Sequence, residues 1–443
     1  VGDFDGMRER RLVRVLVPYS KTFYLVDRGR QEGITYAFGK AFETWLNKNQ
    51  PFADKAQRWQ VMFLPTARNE LLPKLLAGEG DLAAGGLTIT EGRQQTVDFS
   101  DPGASEINEV IVSAPGSVKI QRLEDLAGRE VYVRASSSYF EHLVALNERF
   151  KAQGLAPVKI MPANENLETE DLLQMVNAGL YGMTVADQHI AQLWQSLYTD
   201  MQIQAGVYLH QGGKLSWALR KSSPQFQQVL SAFVKEHKIG SEFGNISMRR
   251  FKNNQRVLNA TSQAEMQKFK ALVGVFQKHA GTYDFDHLML MAQGFQESQL
   301  DQRARSRAGA VGVMQLLPST AADPAVGIKG IDTSVDKNIE AGSKYMRLLA
   351  DKYLDDPELT PVNRTLLSFA AYNAGPGNLM KFRRLAEKSG LDPNVWFGNV
   401  EQAAARIVGR ETVDYVGNIY KYYVAYKLVA QKQALREASK AAR

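Results

Sequence analysis

Cysteine is wholly absent from these 443 residues. Disulfides, thiolate metal sites and cysteine nucleophiles are therefore excluded, whereas an oxidising compartment is not. Histidine is sparse. The six residues at 142, 189, 210, 237, 279 and 287 lie scattered without the spacing of a ligand set, so no metal or other cofactor is expected. No apolar run approaches the ~18 residues needed to span a bilayer. Repeats of fixed period and low-complexity linkers are missing too. The formal charge of +7 is modest; it suits contact with an anionic polymer or with membrane phosphates. Nucleic acid is not expected as a partner, because the chain carries no recognition fold or basic-aromatic module. Basic residues bunch at two places, Arg8, Arg10, Arg11 and Arg14, then Lys427, Lys432, Arg436, Lys440 and Arg443. Both read as solvated charge on exposed ends.

What is present describes a globular chain of two or three domains, with 44% hydrophobic and 23% charged residues. The first 250 residues or so alternate short apolar strands with helices. Strands are expected at 11–18, 60–64, 110–114, 130–134, 158–161 and 183–186, and helices at 36–47, 139–151, 169–177, 188–197 and 224–238. This alternation implies βαβ units and mostly parallel sheets. From about Ala264 helical periodicity takes over, which places a boundary near 247–259. The chain begins at Val1, so an export signal or membrane anchor is expected outside it.

Glu297 is the residue with the clearest chemistry. Asp284 can cap a helix carrying Phe285, Leu288, Ala292 and Phe295, with Glu297 in its last turn. A helix C-terminus and apolar neighbours both disfavour a charged carboxylate and raise its pKa. A glutamate that stays protonated near neutral pH can act as general acid on a glycosidic oxygen. On spacing alone the plainer reading, a solvated glutamate at a frayed helix end, is favoured. Asp301, four residues on, is the obvious second carboxylate and reads as solvated.

The surrounding string changes that weighting. Glu297-Ser298-x-Leu300, Ala304-x-Ser306, and Gly309-Ala310-x-Gly312-Val313-Met314-Gln315-Leu316-x-Pro318-x-Thr320-Ala321 resemble the catalytic segment of lytic transglycosylases with a goose-type lysozyme fold. Two further blocks follow in that family's order: Ala370-Ala371-Tyr372-Asn373-Ala374-Gly375-Pro376-Gly377, and Glu411-Thr412-Val413-Asp414-Tyr415-Val416. The resemblance implies that Glu297 is the single acid and base. It also implies that Ser306, Met314, Gln315, Tyr372, Asn373 and Glu411 contact or orient the sugar.

A second resemblance covers roughly residues 10–250. Gly80-Asp81-Leu82, Gly85 to Arg93 and Val97-Asp98-Phe99-Ser100-Asp101-Pro102 look like the signature of periplasmic solute-binding proteins for amino acids. That family has two α/β lobes joined by two crossover strands, here at 108–115 and 208–219. By resemblance Arg93 and Thr88 would hold a ligand carboxylate, and Asp187 its ammonium group. Ser136 and Ser137, at a helix start, would face an anion. The plainer alternatives are a surface ion pair of Arg93 with Glu91 or Asp98, and an ordinary helix cap for Asp187. Two positions depart from the pattern: no acidic residue follows Gly33, and Gly86 stands where a serine often contacts ligand.

The expected protein thus has two domains. Residues 1–252 form a solute-binding-protein-like α/β domain, with lobe one at about 10–110 and 212–252 and lobe two at about 114–207. Residues 253–443 form a mainly α, lysozyme-like catalytic domain. This order resembles the membrane-bound lytic transglycosylase F type. The resemblance implies a periplasmic enzyme on peptidoglycan strands, tethered to the outer membrane by a segment absent here. The N-terminal cleft would take a muropeptide or amino-acid-like ligand. The rival readings are a goose-type hydrolase using an activated water, and a receptor without catalysis.

Overall fold

The computed structural model describes residues 2–102, 106–237 and 257–441. It divides into two units, Val1–Asn253 and Asn254–Arg443. The boundary expected near 247–259 lies largely outside the described residues, as do Lys238 and the side chains of Lys440 and Arg443.

The first unit is built on strands β1 (Leu12–Val17), β2 (Leu25–Asp27), β3 (Arg30–Glu32), β4 (Gln60–Pro65), β5 (Leu82–Thr88), β6 (Val97–Phe99), β7 (Glu106–Ser113), β8 (Glu130–Val133), β9 (Lys159–Pro162), β10 (Met183–Asp187) and β11 (Gln202–Arg220). Nine of them make one sheet in the order β4-β1-β5-β11-β7-β10-β8-β9, with β6 also on β11. Within each lobe the strands run parallel, β1 between β4 and β5, and β8 between β9 and β10. The connection is antiparallel, so the expectation of a mostly parallel sheet holds only inside the lobes. Residues 202–214 of β11 pair with β7, and residues 215–220 pair with β5 and β6. The two expected crossovers fall within β7 and β11.

Hydrophobic pattern explains each lobe. Val110, Ile111 and Val112 are buried in succession because the central β7 is covered on both faces. Helix Ile34–Asn49 sends Phe38 and Phe42 against Phe233, with ring centroids 5.1 and 4.9 Å away. Helix Ser138–Ala152 packs Leu143, Leu146 and Phe150 on Val131, Val133 and Val185. The arginines at the N-terminus correct the expectation of solvated charge. Arg10 and Arg14 bond the buried Asp81 carboxylate at 2.6 and 2.9 Å, so two of the four arginines tie the chain start to the Gly80-Asp81-Leu82 turn.

The second unit is helical. Its centre is helix His287–Ser298, buried continuously from Leu288 to Phe295. It packs against helices Gln263–Tyr283 and Arg410–Ala441. Asp286, not Asp284, caps it, accepting from the Leu288 N–H at 2.8 Å. Asp284 instead ends the preceding helix in the left-handed region, at φ 57°. Helices Val335–Tyr353 and Pro361–Ala374 complete the surroundings, each capped by a hydroxyl, Ser334 and Thr360. Tyr420 and Tyr422 are buried packing residues of helix Arg410–Ala441. Among the described residues no helix is long and apolar enough to cross a membrane.

Candidate active site and ligand cleft

Glu297 sits one residue before the end of helix His287–Ser298. Gln299 and Leu300 follow at φ 56° and 58°, so two left-handed, non-glycine residues turn the chain sharply away. Ser298 secures this turn: its hydroxyl donates to the Val313 carbonyl at 2.9 Å and accepts from the Asp301 N–H.

The half-buried Glu297 carboxylate accepts a hydrogen bond from the Tyr415 hydroxyl at 2.5 Å. Burial pushes its pKa up to about 7, and the Tyr415 bond opposes that rise only in part. Among the described residues no carboxylate adds to that shift. Asp301 is occupied with Arg303 at 3.2 Å, and its pKa is held down by the Arg303 backbone and side-chain hydrogen bonds.

The loop 301–317 faces this helix end and is built around Asn338. Its amide oxygen accepts from Met314 N–H at 2.8 Å, and its amide nitrogen donates to the carbonyls of Val311 and Ile331. Gly312 is required here. At φ 76°, a Cβ on it would overlap the Asn338 amide.

The other expected residues divide. Tyr372 donates to the Met314 carbonyl at 2.7 Å, so its hydroxyl is not bonded to the acid. It lies near enough for the Glu297 charge to add to burial in pushing its pKa well up. Met314 does not line an open cleft: its side chain is fully buried and packs over Gly342. Gln315 donates to the Ala304 and Gly312 carbonyls at 3.2 and 2.9 Å, closing the loop on itself. Ser306 is exposed at a hairpin turn, accepting from the Ala310 N–H at 3.0 Å. Asn373 is exposed and accepts from Thr412 at 2.8 Å, and Glu411 is exposed in the first turn of helix Arg410–Ala441. Sequence reasoning missed Tyr415, Ser298 and Asn338. Tyr415 lay inside the third block, one turn after the charged residue that drew attention.

The first unit contains a cavity of roughly 300 Å³ between its lobes, lined by Arg68, Thr88, Arg93, Ser136, Tyr139 and Asp187 among others. Thr88, Arg93 and Asp187 line it together. Arg93 forms neither expected surface pair. Its guanidinium donates to the carbonyls of Thr88 and, across the lobes, Ser136, at 2.7 and 3.1 Å. The serine pair departs from expectation. The Ser136 hydroxyl and N–H both bond the Glu165 carboxylate, at 2.6 and 3.1 Å, so the chain's own carboxylate already occupies that anion position. Ser137 is the helix cap, accepting from Phe140 N–H.

Asp187 makes no side-chain cap bond, although it starts helix Gln188–Gln195. Its Oδ1 is buried without a partner, and burial, then the neighbouring Glu109 charge, push its pKa up to about 7. Gly86 departs from the usual serine for a visible reason: a Cβ there would meet the Phe23 ring at 2.7 Å. A buried ion pair unforeseen in the sequence spans the lobes. Arg68 donates to both Glu168 oxygens at 2.8–3.0 Å. Burial would raise the Glu168 pKa, but the Arg68 and Arg134 charges outweigh it and hold it low.

Comparison with known proteins follows this division. Residues 16–253 match the model for bacterial extracellular solute-binding proteins, family 3, and residues 274–393 match the transglycosylase SLT domain. A protein of Desulfosudis oleivorans named membrane-bound lytic murein transglycosylase F is 28% identical, covering 97% of this chain and 92% of its own length. One of the same name from Stutzerimonas stutzeri is 26% identical, covering 97% and 88%. Among solved structures, holo ArgBP from T. maritima aligns at 21% identity and a TM-score of 0.42, over 52% of this chain and 92% of its own. The chain belongs to family 3 of the bacterial extracellular solute-binding proteins through residues 16–253, and it joins that module to a transglycosylase SLT domain.

Proposed function

We propose that this protein is a peptidoglycan lytic transglycosylase in which Glu297 acts alone, first as acid and then as base. The observation that carries this reading is a carboxyl near pKa 7 whose side-chain partner is a tyrosine, with no carboxylate among the described residues adding to that shift. Most glycosidases need a second carboxylate for water or as nucleophile. Internal attack does not.

Glu297 gives its proton to the oxygen between N-acetylmuramic acid and N-acetylglucosamine, and the bond from that oxygen to the muramic anomeric carbon breaks. The muramic C6 hydroxyl then bonds to the same carbon and returns its proton to Glu297. The product is a 1,6-anhydro end, with no water consumed. Tyr372, Asn373, Ser306, Gln315 and Glu411 shape or contact the sugar site in this reading, and Met314 contributes through its backbone carbonyl. The SLT match and the full-length relatives support the assignment.

The first unit takes an amino-acid-like or peptide ligand of the cell wall, with an ammonium at Asp187 and a carboxylate near Arg93 and Thr88. Its binding regulates turnover at Glu297, which requires different affinities in two states. A saturating peptide that leaves turnover unchanged removes this part. The protein works in the periplasm at the outer membrane; its solute-binding module and the membrane-bound relatives support that placement.

Mass spectrometry of purified peptidoglycan tests the central assignment. Anhydro-muramyl products should form with the parent protein and vanish with Glu297→Gln, which still binds glycan. Reducing-end products would assign a hydrolase instead, and an active Glu297→Gln would remove Glu297 as the acid.

A further inference from the structure

Tyr415 has one proton and two acceptor sites on its hydroxyl. The proton goes to Glu297, and one acceptor site is taken by the Gln293 amide, whose Nε2 donates from 3.3 Å. Gln293 is one turn before Glu297 on the same helix and fully buried. Its neighbours Leu288 to Ala292 are apolar, and its other contact is the weak acceptor Met346 Sδ at 3.8 Å. Its Oε1 is buried with no partner. A buried amide with an unpaired oxygen costs stability, and a leucine or methionine would fill this place without that cost. Packing therefore gives no reason for a glutamine here.

We propose that Gln293 is a positioning residue for the acid, holding the Tyr415 hydroxyl so that its proton stays directed at Glu297. By donating to Tyr415, the amide denies the hydroxyl a competing acceptor and polarises its O–H bond, which strengthens the bond to the carboxylate. Gln293 acts through Tyr415 alone. The inference rests on reading Glu297 as the acid.

The groups around the carboxyl are few. Tyr415 comes from helix Arg410–Ala441 and Tyr372 from helix Pro361–Ala374, and both sense the Glu297 charge. Helix Val335–Tyr353 presents Met346 to Gln293, with Tyr345 against Tyr372 at 5.5 Å. Helix Gln263–Tyr283 brings Lys268, paired with Glu265, to the Gln299 carbonyl two residues beyond Glu297.

The test is a carboxyl NMR titration of Glu297 in the full chain, which needs no turnover. Gln293→Met should raise the Glu297 pKa by about half a unit, roughly threefold in ionisation constant, because the charged form loses support. Gln293→Leu likewise removes the donor and adds no charge; it should shift the titration the same way and by a similar amount. It is the variant to read if the methionine protein folds poorly. In a Tyr415→Phe background, Gln293→Met should add no further shift. An unmoved titration in Gln293→Met and Gln293→Leu, or an equal shift without Tyr415, would overturn the proposal. Loss of the acid assignment is a separate result, seen as full activity in Glu297→Gln.

Discussion

A carboxyl held at about pKa 7 by burial makes the folded state bind a proton that the unfolded chain, with an ordinary glutamate, releases near pH 4.5. The native state binds more protons across that window, so stability falls as pH rises through it. Glu297→Gln should therefore melt higher than the parent at pH 8, by on the order of 2 kcal/mol. The gap should close below pH 4. Tyr415→Phe removes a bond that favours the carboxylate, so the Glu297 pKa rises further and the alkaline limb of activity moves up. Turnover should fall about tenfold to a hundredfold, as general-base return of the proton loses its orientation. At this scale the sequence told much. The place of Glu297 in the last helical turn was legible, whereas spacing alone favoured a solvated carboxylate, and the ordered blocks after it gave the reason to expect a raised pKa. Tyr415 was not legible, because reach across 118 residues is set by helix packing rather than by spacing.

Elements hold these groups at fixed distances. Gly312→Ala would push against Asn338, which carries two backbone bonds of the 301–317 loop and a third to Ile331. A loss of about 2–4 kcal/mol and of most activity is expected, measured by denaturant melts and turnover together. Within the first unit the Arg68–Glu168 pair is almost fully buried. Arg68→Ala leaves the buried Glu168 with the longer Arg134 contact at 3.7 Å in place of its bonded partner, and should cost about 3 kcal/mol. Arg68→Leu with Glu168→Leu should recover much of that loss in a double-mutant cycle. Strand and helix placement was largely readable here, since β1, β4, β7, β8, β9 and β10 all carry apolar runs. The β2–β3 hairpin and the short β6 gave no comparable signal. Nor did the clamp on Asp81, where arginines that looked solvated meet a carboxylate about 70 residues away.

At the scale of the whole chain, two modules stand in one polypeptide, one with a cavity between lobes and one with Glu297, its pKa raised, at a helix end. Both module types were legible through ordered blocks, whereas the pairing of the cleft residues Ser136 and Arg68 with the chain's own carboxylates was hidden. Glu165 on Ser136 and Glu168 on Arg68 are contacts between segments that fold brings together. The claim that joins residue to function is that one carboxylate suffices because water takes no part. Digestion of peptidoglycan in oxygen-18 water, read by mass spectrometry of the released ends, measures this directly. The one-carboxylate mechanism predicts anhydro ends with no heavy oxygen incorporated; one oxygen-18 at each new reducing end would contradict it.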